Sequence, residues 1–149
     1  VALAQIAFIR RCFAGASRLW SDAFAADRKL ADDRRTQHAY NAACSAALAG
    51  CGQGKDDPPP DDAARVKLRH QAREWLQAEL AAWSKVLESG SPEARNLVHQ
   101  ILQHWQGDPD LAGIREEAAL AKLSQEEQKA CRSLWTEVAA LRAKARPGP

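Results

Sequence analysis

The sequence predicts an all-α fold, and three observations lead to this prediction. Alanine is the most abundant residue, with 31 in a chain of 149. Residues that favour strands are scarce, since Val, Ile and Thr together number only 11, whereas Ala, Leu, Arg, Glu and Gln favour helices. Apolar side chains recur at helical spacing in several long segments, and no segment shows the alternation of a strand.

Five helices are predicted between residues 1 and 107, from segments with helical periodicity whose ends can be recognised. We expect helices over residues 1–10, Cys12–Ala26, Asp33–Ala49, Ala63–Glu88 and from Ser91 to Gly107. The fourth carries a continuous apolar stripe, formed by Ala72, Leu76, Leu80, Trp83 and Leu87. Ser91 is the predicted N-cap of the fifth helix, with Pro92 at its first position and Gly107 as its stop.

The remaining segments are predicted as loops and one further long helix. Gly50–Asp62, with the sequence GCGQGKDDPPPDD, and Gly107–Pro109 indicate loops. Short helical turns are expected over residues 110–114 and 116–123. The last helix begins with the capping box Ser124-x-x-Glu127 and continues to about residue 145. The tail Arg146–Pro149 is expected to fray.

The charges are nearly balanced and evenly spread along the chain. Lys and Arg number 21 against 19 Asp and Glu, which gives a net charge of +2. Without a basic arm, neither nucleic acid nor an anionic membrane is favoured as a partner. The longest apolar run, Val1–Ile9, is too short to span a bilayer and lacks the features of a signal peptide, so we expect a cytoplasmic protein.

Two helical segments have the packing pattern of a known repeat. Ala16–Arg28, ASRLWSDAFAADR, alternates small and large residues and resembles the second helix of a tetratricopeptide repeat (TPR). Tyr40–Gly50, YNAACSAALAG, resembles the first helix of the next repeat. Gln71–Leu80, QAREWLQAEL, resembles its second helix, displaced by the loop at 50–62. Glu79 departs from the pattern, which has a small residue there.

Longer blocks extend this resemblance over nearly the whole chain. They include H-YNAACSAALAGCGQGKD, R-QA-EWL-AEL-AW-K-LE and HWQ-DPDLAGIR, and they are clearest over Asp22–Glu88 and His104–Leu141. The blocks resemble a C-terminal region of large planctomycete-type bacterial proteins that carry a Ser/Thr protein kinase domain followed by TPRs. The resemblance implies a helical module appended to a kinase. Because the chain contains no Met, Val1 is expected to mark a cut from a longer protein or a late start.

The resemblance also implies a domain organisation and a function. Residues 1–149 would form one helical domain, with irregular TPR-like antiparallel helix pairs over 1–88 and capping helices over 91–145. The first hypothesis is a non-catalytic protein-interaction or scaffold module with a protein or peptide partner. The second is a structural cap that closes a longer TPR superhelix and has no ligand of its own. A stand-alone enzyme or metal protein is the least favoured reading.

A peptide groove follows from the repeat geometry, because the first helix of each TPR lines a concave face. In the second repeat this face would carry five side chains, which are Gln37, Tyr40, Asn41, Cys44 and Leu48. The Asn41 amide could hold a peptide backbone or a terminal carboxylate. An exposed apolar patch along residues 37–48 would favour the interaction module, and a groove filled by the C-terminal helices would favour the cap.

No motif indicates catalysis, a metal or a cofactor. The glycine-rich, HRD-type and DFG-type segments of a kinase are missing. Gly50–Lys55, GCGQGK, departs from a P-loop because Ala49 replaces the first glycine and Asp56 follows the lysine, so we expect a flexible turn. His70 and Glu74 lie i, i+4 on one helix, which a surface hydrogen bond explains better than a metal site.

The cysteines and tryptophans are predicted to serve packing. Cys12, Cys44, Cys51 and Cys131 form no CxxC pair, and we expect small buried residues of a reduced protein. All five tryptophans fall on apolar helix faces. We expect Trp83 and Trp135 to be partly exposed at a partner surface.

Overall fold

The computed structural model describes residues 1–146, and over this range the protein is all-helical without strands, as the sequence predicts. The helices are α1 (Ala2–Ile9), α2 (Phe13–Ala26), α3 (Lys29–Asp32), α4 (His38–Gly50), α5 (Asp62–Glu88), α6 (Pro92–Gly107), α7 (Glu117–Leu120) and α8 (Gln125–Lys144). A 3₁₀ helix, Pro109–Ile114, precedes α7. Apart from Arg146, the tail expected to fray lies outside the described residues. Within the described part of the chain, no helix is long and apolar enough to cross a membrane.

The helices belong to two compact units. The first comprises Val1–Leu76, and the second begins at Gln77. The division falls inside α5, whereas the sequence predicts a boundary between repeats and cap at residues 89–90.

In the first unit, alanines allow helices to pack closely. α2 packs against both α1 and α4. The buried face of α4 carries four alanines with no exposed surface, which are Ala42, Ala43, Ala46 and Ala49. Trp20 of α2 and Ala4 of α1 join Ala42 in one core cluster, against which Trp75 packs from α5. Small residues on one helix thus form the groove that the large indole of the other fills.

α4 and α5 come into close contact at Gly50. A Cβ atom at this position would lie 2.6 Å from Cγ and 2.9 Å from the backbone nitrogen of Arg69. The Arg69 guanidinium also donates a hydrogen bond to the Gly50 carbonyl. Only glycine fits here, because any side chain would collide with the backbone of α5.

The predicted helix over Asp33–Ala49 is wrong in its first turn. The chain forms the short α3, then a turn, and α4 begins only at His38. The Asp33 carboxylate accepts a hydrogen bond from the Arg35 backbone at 3.1 Å, and the Asp33 carbonyl accepts one from the Thr36 hydroxyl at 2.8 Å. Gln37 then takes a left-handed conformation with φ of 53°. Local side-chain hydrogen bonds of this kind compete with helix formation.

The loop after α4 is tied to the start of α2. The Asp56 carboxylate accepts hydrogen bonds from the backbone nitrogens of Ala14 and Gly15, at 3.0 and 2.9 Å. The Lys55 backbone nitrogen donates to the Arg11 carbonyl at 2.8 Å. The segment read as a flexible turn is therefore anchored, and Asp56 stabilises the first turn of α2 from 41 residues away in sequence.

The second unit is built on larger apolar residues. α6 packs against α8, and both helices bury branched side chains, including Val98, Leu102, Leu134 and Val138. Both predicted N-caps are confirmed, because the hydroxyls of Ser91 and Ser124 accept hydrogen bonds from the backbone nitrogens three residues later at 3.1 and 3.2 Å.

The two tryptophans expected at a partner surface behave differently. Trp83 is buried, with only 5% of its surface exposed, so that prediction is wrong. Trp135 is half-buried. Its indole nitrogen donates to the Ile114 carbonyl at 2.8 Å, and the Arg115 guanidinium lies 5.6 Å from its ring centroid. Trp135 therefore joins α8 to the 3₁₀ helix within the second unit.

Candidate functional site

An exposed apolar stripe runs along α1. Leu3, Ile6 and Ile9 expose 67%, 50% and 78% of their surfaces. They are three residues apart, so they lie along one side of this helix. Ala4, in contrast, is completely buried in the core cluster. α1 thus has apolar residues towards the unit and towards solvent, which distinguishes it from an ordinary amphipathic surface helix.

A cavity of about 340 Å³ adjoins this stripe in the first unit. Its walls come from α1, α2 and α4, and its lining residues are Gln5, Phe8, Ile9, Trp20 and Asn41. Phe8, Ile9 and Trp20 give the cavity an apolar lining. Gln5 and Asn41 add two side-chain amides. Ile9 belongs to both the stripe and the cavity, so the two features form one continuous surface, which we call the α1 groove.

Aromatic contacts fix the walls of the α1 groove. The Phe8 ring lies 5.2 Å from that of Phe13. The Trp20 indole stacks on Phe24 with ring centroids 5.7 Å apart and lies 5.1 Å from the His38 ring. Rings held from both sides cannot easily collapse into the cavity, so its shape is present before any ligand arrives.

Along the sequence of α1 and the first part of α2 the charges have one sign, and the Asp56 carboxylate reaches the start of α2 from the loop after α4. Residues 1–21 contain three arginines and no Asp or Glu. Arg10, Arg11 and Arg18 are all exposed. Arg10 and Arg11 directly follow Ile9 at the end of α1, so positive charge lies beside the apolar stripe. A ligand with acidic groups next to its apolar residues would be attracted here.

The structure assembles only part of the predicted peptide groove. Asn41 is exposed and lines the cavity. Tyr40 and Cys44 are buried, Leu48 is half-buried, and Gln37 lies before the first turn of α4. The five residues therefore do not form a common exposed face, and residues 37–48 present no exposed apolar patch. The correction follows from the alanine-rich α4, which is buried on most of its circumference rather than on one side.

The groove residues of α1 escaped the sequence analysis. Gln5, Phe8 and Ile9 were considered only as part of a short apolar run. The signal was nevertheless present, because Leu3, Ile6 and Ile9 recur at helical spacing while Ala4 and Phe8 occupy the other side. An eight-residue helix with apolar residues on two sides indicates that one side is open to a partner.

Two histidines among the other candidate side chains lie beside acidic side chains. His70 Nδ1 lies 3.5 Å from Glu74 Oε2 on the exposed surface of α5, as predicted. His104 Nε2 lies 3.3 Å from Asp108 Oδ2. Cys12, Cys44, Cys51 and Cys131 form no disulfide bonds in the described structure, and Cys44 and Cys131 are buried.

Two carboxyl groups of the second unit have shifted pKa values. Burial raises the pKa of Asp110, and the neighbouring Asp108 carboxylate adds to this effect, while His104 opposes it. A hydrogen bond from Arg132 lowers the pKa of Glu117, whose Oε2 lies 2.8 Å from the guanidinium. Both shifts have structural causes, and neither carboxyl group lines the α1 groove.

In comparisons with known proteins, no family model matches the chain, and no curated protein or solved structure matches it significantly. The TPR resemblance therefore stays a prediction, and the function is argued from the α1 groove alone.

Proposed function

We propose that this chain is a non-catalytic protein-interaction module whose α1 groove holds an apolar, acidic segment of a partner protein. The observation that carries the proposal is the continuity between the exposed stripe of α1 and the cavity at Ile9. A partner side chain would enter the cavity, and its neighbours along the segment would cover Leu3 and Ile6.

The apolar part of the groove provides the driving force for binding. Full burial of a Leu or Ile side chain contributes about 1.5–3 kcal/mol. Leu3, Ile6 and Ile9 are half or more exposed, so at least half of this contribution remains available to a partner at each position. Three exposed residues on eight residues of helix make a small surface, which suits a short segment better than a whole domain.

The polar part of the groove provides specificity. Gln5 and Asn41 each offer an amide donor and an acceptor, which match the backbone of an extended or partly helical segment. Arg10, Arg11 and Arg18 favour Asp and Glu in that segment and disfavour Lys and Arg. These arginines are exposed, so their main effect is on association rate and partner choice.

We also propose that the helices follow a TPR-like arrangement, as part of a larger kinase-linked protein. α1 and α2 would form the first pair, and α4 with the start of α5 the second. The packing of α2 on both α1 and α4 supports this arrangement, as does the close approach of α4 and α5 at Gly50. The partner segment would then lie against the first pair.

Selection from a displayed library of random 12-residue peptides tests the proposed function. The full chain is immobilised, and the library is depleted on an Ile6→Glu variant before each round. Enriched peptides are expected to carry two or more apolar residues three or four positions apart, flanked by Asp or Glu. Half of the Ile6 surface is exposed, so its substitution alters the groove surface and removes only part of a buried contact.

Leu97→Glu is the matched control, because Leu97 is an exposed apolar residue of α6, with 46% of its surface exposed. The selected peptides should bind this variant as they bind the original chain. Enrichment of basic peptides, equal binding to Ile6→Glu, or no enrichment at all would contradict the proposal. The last result is the one that a purely structural TPR cap predicts.

A further inference from the structure

A second, smaller cavity lies within the second unit, between α6 and the end of α8. Its volume is about 180 Å³, and its lining residues are His99, Gln106, Ala139, Arg142, Ala143 and Arg146. Two alanines of α8 contribute little bulk. Three of the other side chains carry or can carry positive charge, and no acidic side chain is among these described lining residues.

The fold accounts for some of the basic residues near this cavity. Arg95 of α6 donates to the Lys144 carbonyl at 3.1 Å, and His99 Nδ1 lies 3.4 Å from the Arg142 carbonyl. These bonds satisfy carbonyls in the last turn of α8, which have no partner within the helix. Arg95 and the Nδ1 atom of His99 therefore have a structural role.

The Arg142 guanidinium is only partly accounted for. Its Nη1 donates to Gln106 Oε1 at 2.7 Å. Its Nε is buried and has no hydrogen-bond partner among the described residues. A buried donor left without a partner destabilises the fold, and more so when the group is charged. Nη2 of the same guanidinium has no hydrogen bond with the described residues and is the atom that an acceptor in the cavity would meet.

Arg146 adds a second guanidinium, which has no hydrogen bond or ion pair with the other described residues. Arg146 lies just after the C-cap of α8 and is exposed to solvent. Two guanidinium groups beside one cavity repel each other unless negative charge lies between them. Glu137, the acidic residue of α8 nearest in sequence, lines a different cavity together with Lys144.

We propose that this cavity binds a phosphate group. The guanidinium groups of Arg142 and Arg146 would donate charge-assisted hydrogen bonds to its oxygens, and the His99 ring lines the same cavity. The cavity is small beside the roughly 300–1,000 Å³ of sites for drug-sized ligands, so it suits a phosphate group rather than a whole cofactor. This site does not depend on the α1 groove, because all its residues belong to the second unit.

Calorimetric titration of the full chain with inorganic phosphate tests this proposal, in buffers whose ionic strength is held constant with chloride. Phosphate is expected to bind at one site, and the His99 ring protons should shift in parallel NMR spectra. O-phosphoserine is titrated in a second arm. Binding of either probe supports the site, and the tighter of the two identifies free phosphate or a phosphate ester as the source.

Arg146→Gln is the decisive variant, because Arg146 is exposed and its replacement leaves the bond between Arg142 and Gln106 in place. Its affinity for the better probe should fall roughly 10-fold, the effect of losing one charge-assisted hydrogen bond. Lys129→Gln removes an exposed positive charge from the same helix and should change the affinity less than about 2-fold. Equal losses in the two variants, or no binding of either probe, would overturn the proposal.

Discussion

The two units bury their helices with different kinds of side chain. In the first unit, α4 presents a face of alanines against which the large Trp20 of α2 packs. In the second unit, α6 and α8 bury branched residues such as Leu102 and Leu134. The two units should therefore be sensitive to opposite substitutions. Larger side chains should destabilise the first unit, which has no room for them, and smaller side chains should destabilise the second, whose core depends on large residues.

The largest effect is expected from truncation in the second unit. Leu134→Ala would leave a cavity beside α8 and should lower the free energy of unfolding by about 2–5 kcal/mol. Leu97→Ala serves as the control and should cost much less, because Leu97 is already exposed. Urea denaturation followed by circular dichroism measures both variants. A loss below about 1 kcal/mol for Leu134→Ala would show that the second unit does not depend on this residue.

The opposite change tests the first unit. Ala16→Leu places three additional carbons at a completely buried position of α2 and should cost about 1–3 kcal/mol by overpacking. Ala25→Leu, on the exposed side of the same helix, should leave stability within about 0.5 kcal/mol. Thermal unfolding of the two variants compares them directly. Equal melting temperatures would contradict the close packing of α2.

The loop anchor should have a smaller effect. Asp56→Ala removes the carboxylate that accepts from Ala14 and Gly15, and loss of such a cap costs about 0.5–2 kcal/mol. Asp57→Ala changes the adjacent acid, which is exposed, and is the matched control. Urea denaturation measures the free energy of unfolding of both variants. If the two substitutions are equivalent, the carboxylate of Asp56 does not stabilise α2.

The smallest effect is expected at Asp110 and depends on pH. Its pKa is raised in the folded state, so the folded chain binds its proton more tightly than the unfolded chain. Stability is therefore lost as pH rises from the unfolded value of 3.8 through the folded one. Asp110→Asn should be slightly more stable than the original chain at pH 7, and this difference should disappear below pH 3.8. A gain that persists at low pH, or an equal gain from the exposed Asp22→Asn, would contradict this cause.

Helices and their ends could largely be predicted from local sequence. Ser91 and Ser124 are found as N-caps because a cap depends on a few neighbouring residues. The break before His38 could not be predicted in the same way, because the bonds of Asp33 compete with helix formation by a small free energy. The role of Asp56 escaped prediction because its partners are 41 and 42 residues away.

The candidate site was predictable only in fragments. Asn41 was singled out from the TPR resemblance, and it does line the cavity. Tyr40 and Cys44 were expected beside it, but whether a residue of an alanine-rich helix is exposed depends on how many neighbours surround that helix. The local periodicity of the sequence does not show how many neighbouring elements surround the helix. The stripe on α1 was visible in the sequence, and its exposure became clear only from the packing of α2.

The most direct test of the interaction proposal is an NMR titration of the ¹⁵N-labelled full chain with the tightest peptide from the displayed library. The side-chain amide signals of Gln5 and Asn41 report on the cavity, and the backbone amides of residues 3–9 report on the stripe. The proposal predicts that both sets shift together and that the affinity falls as salt is added, because the three arginines contribute. Shifts confined to residues after Gln77, with the Gln5 and Asn41 amides unchanged, would contradict it.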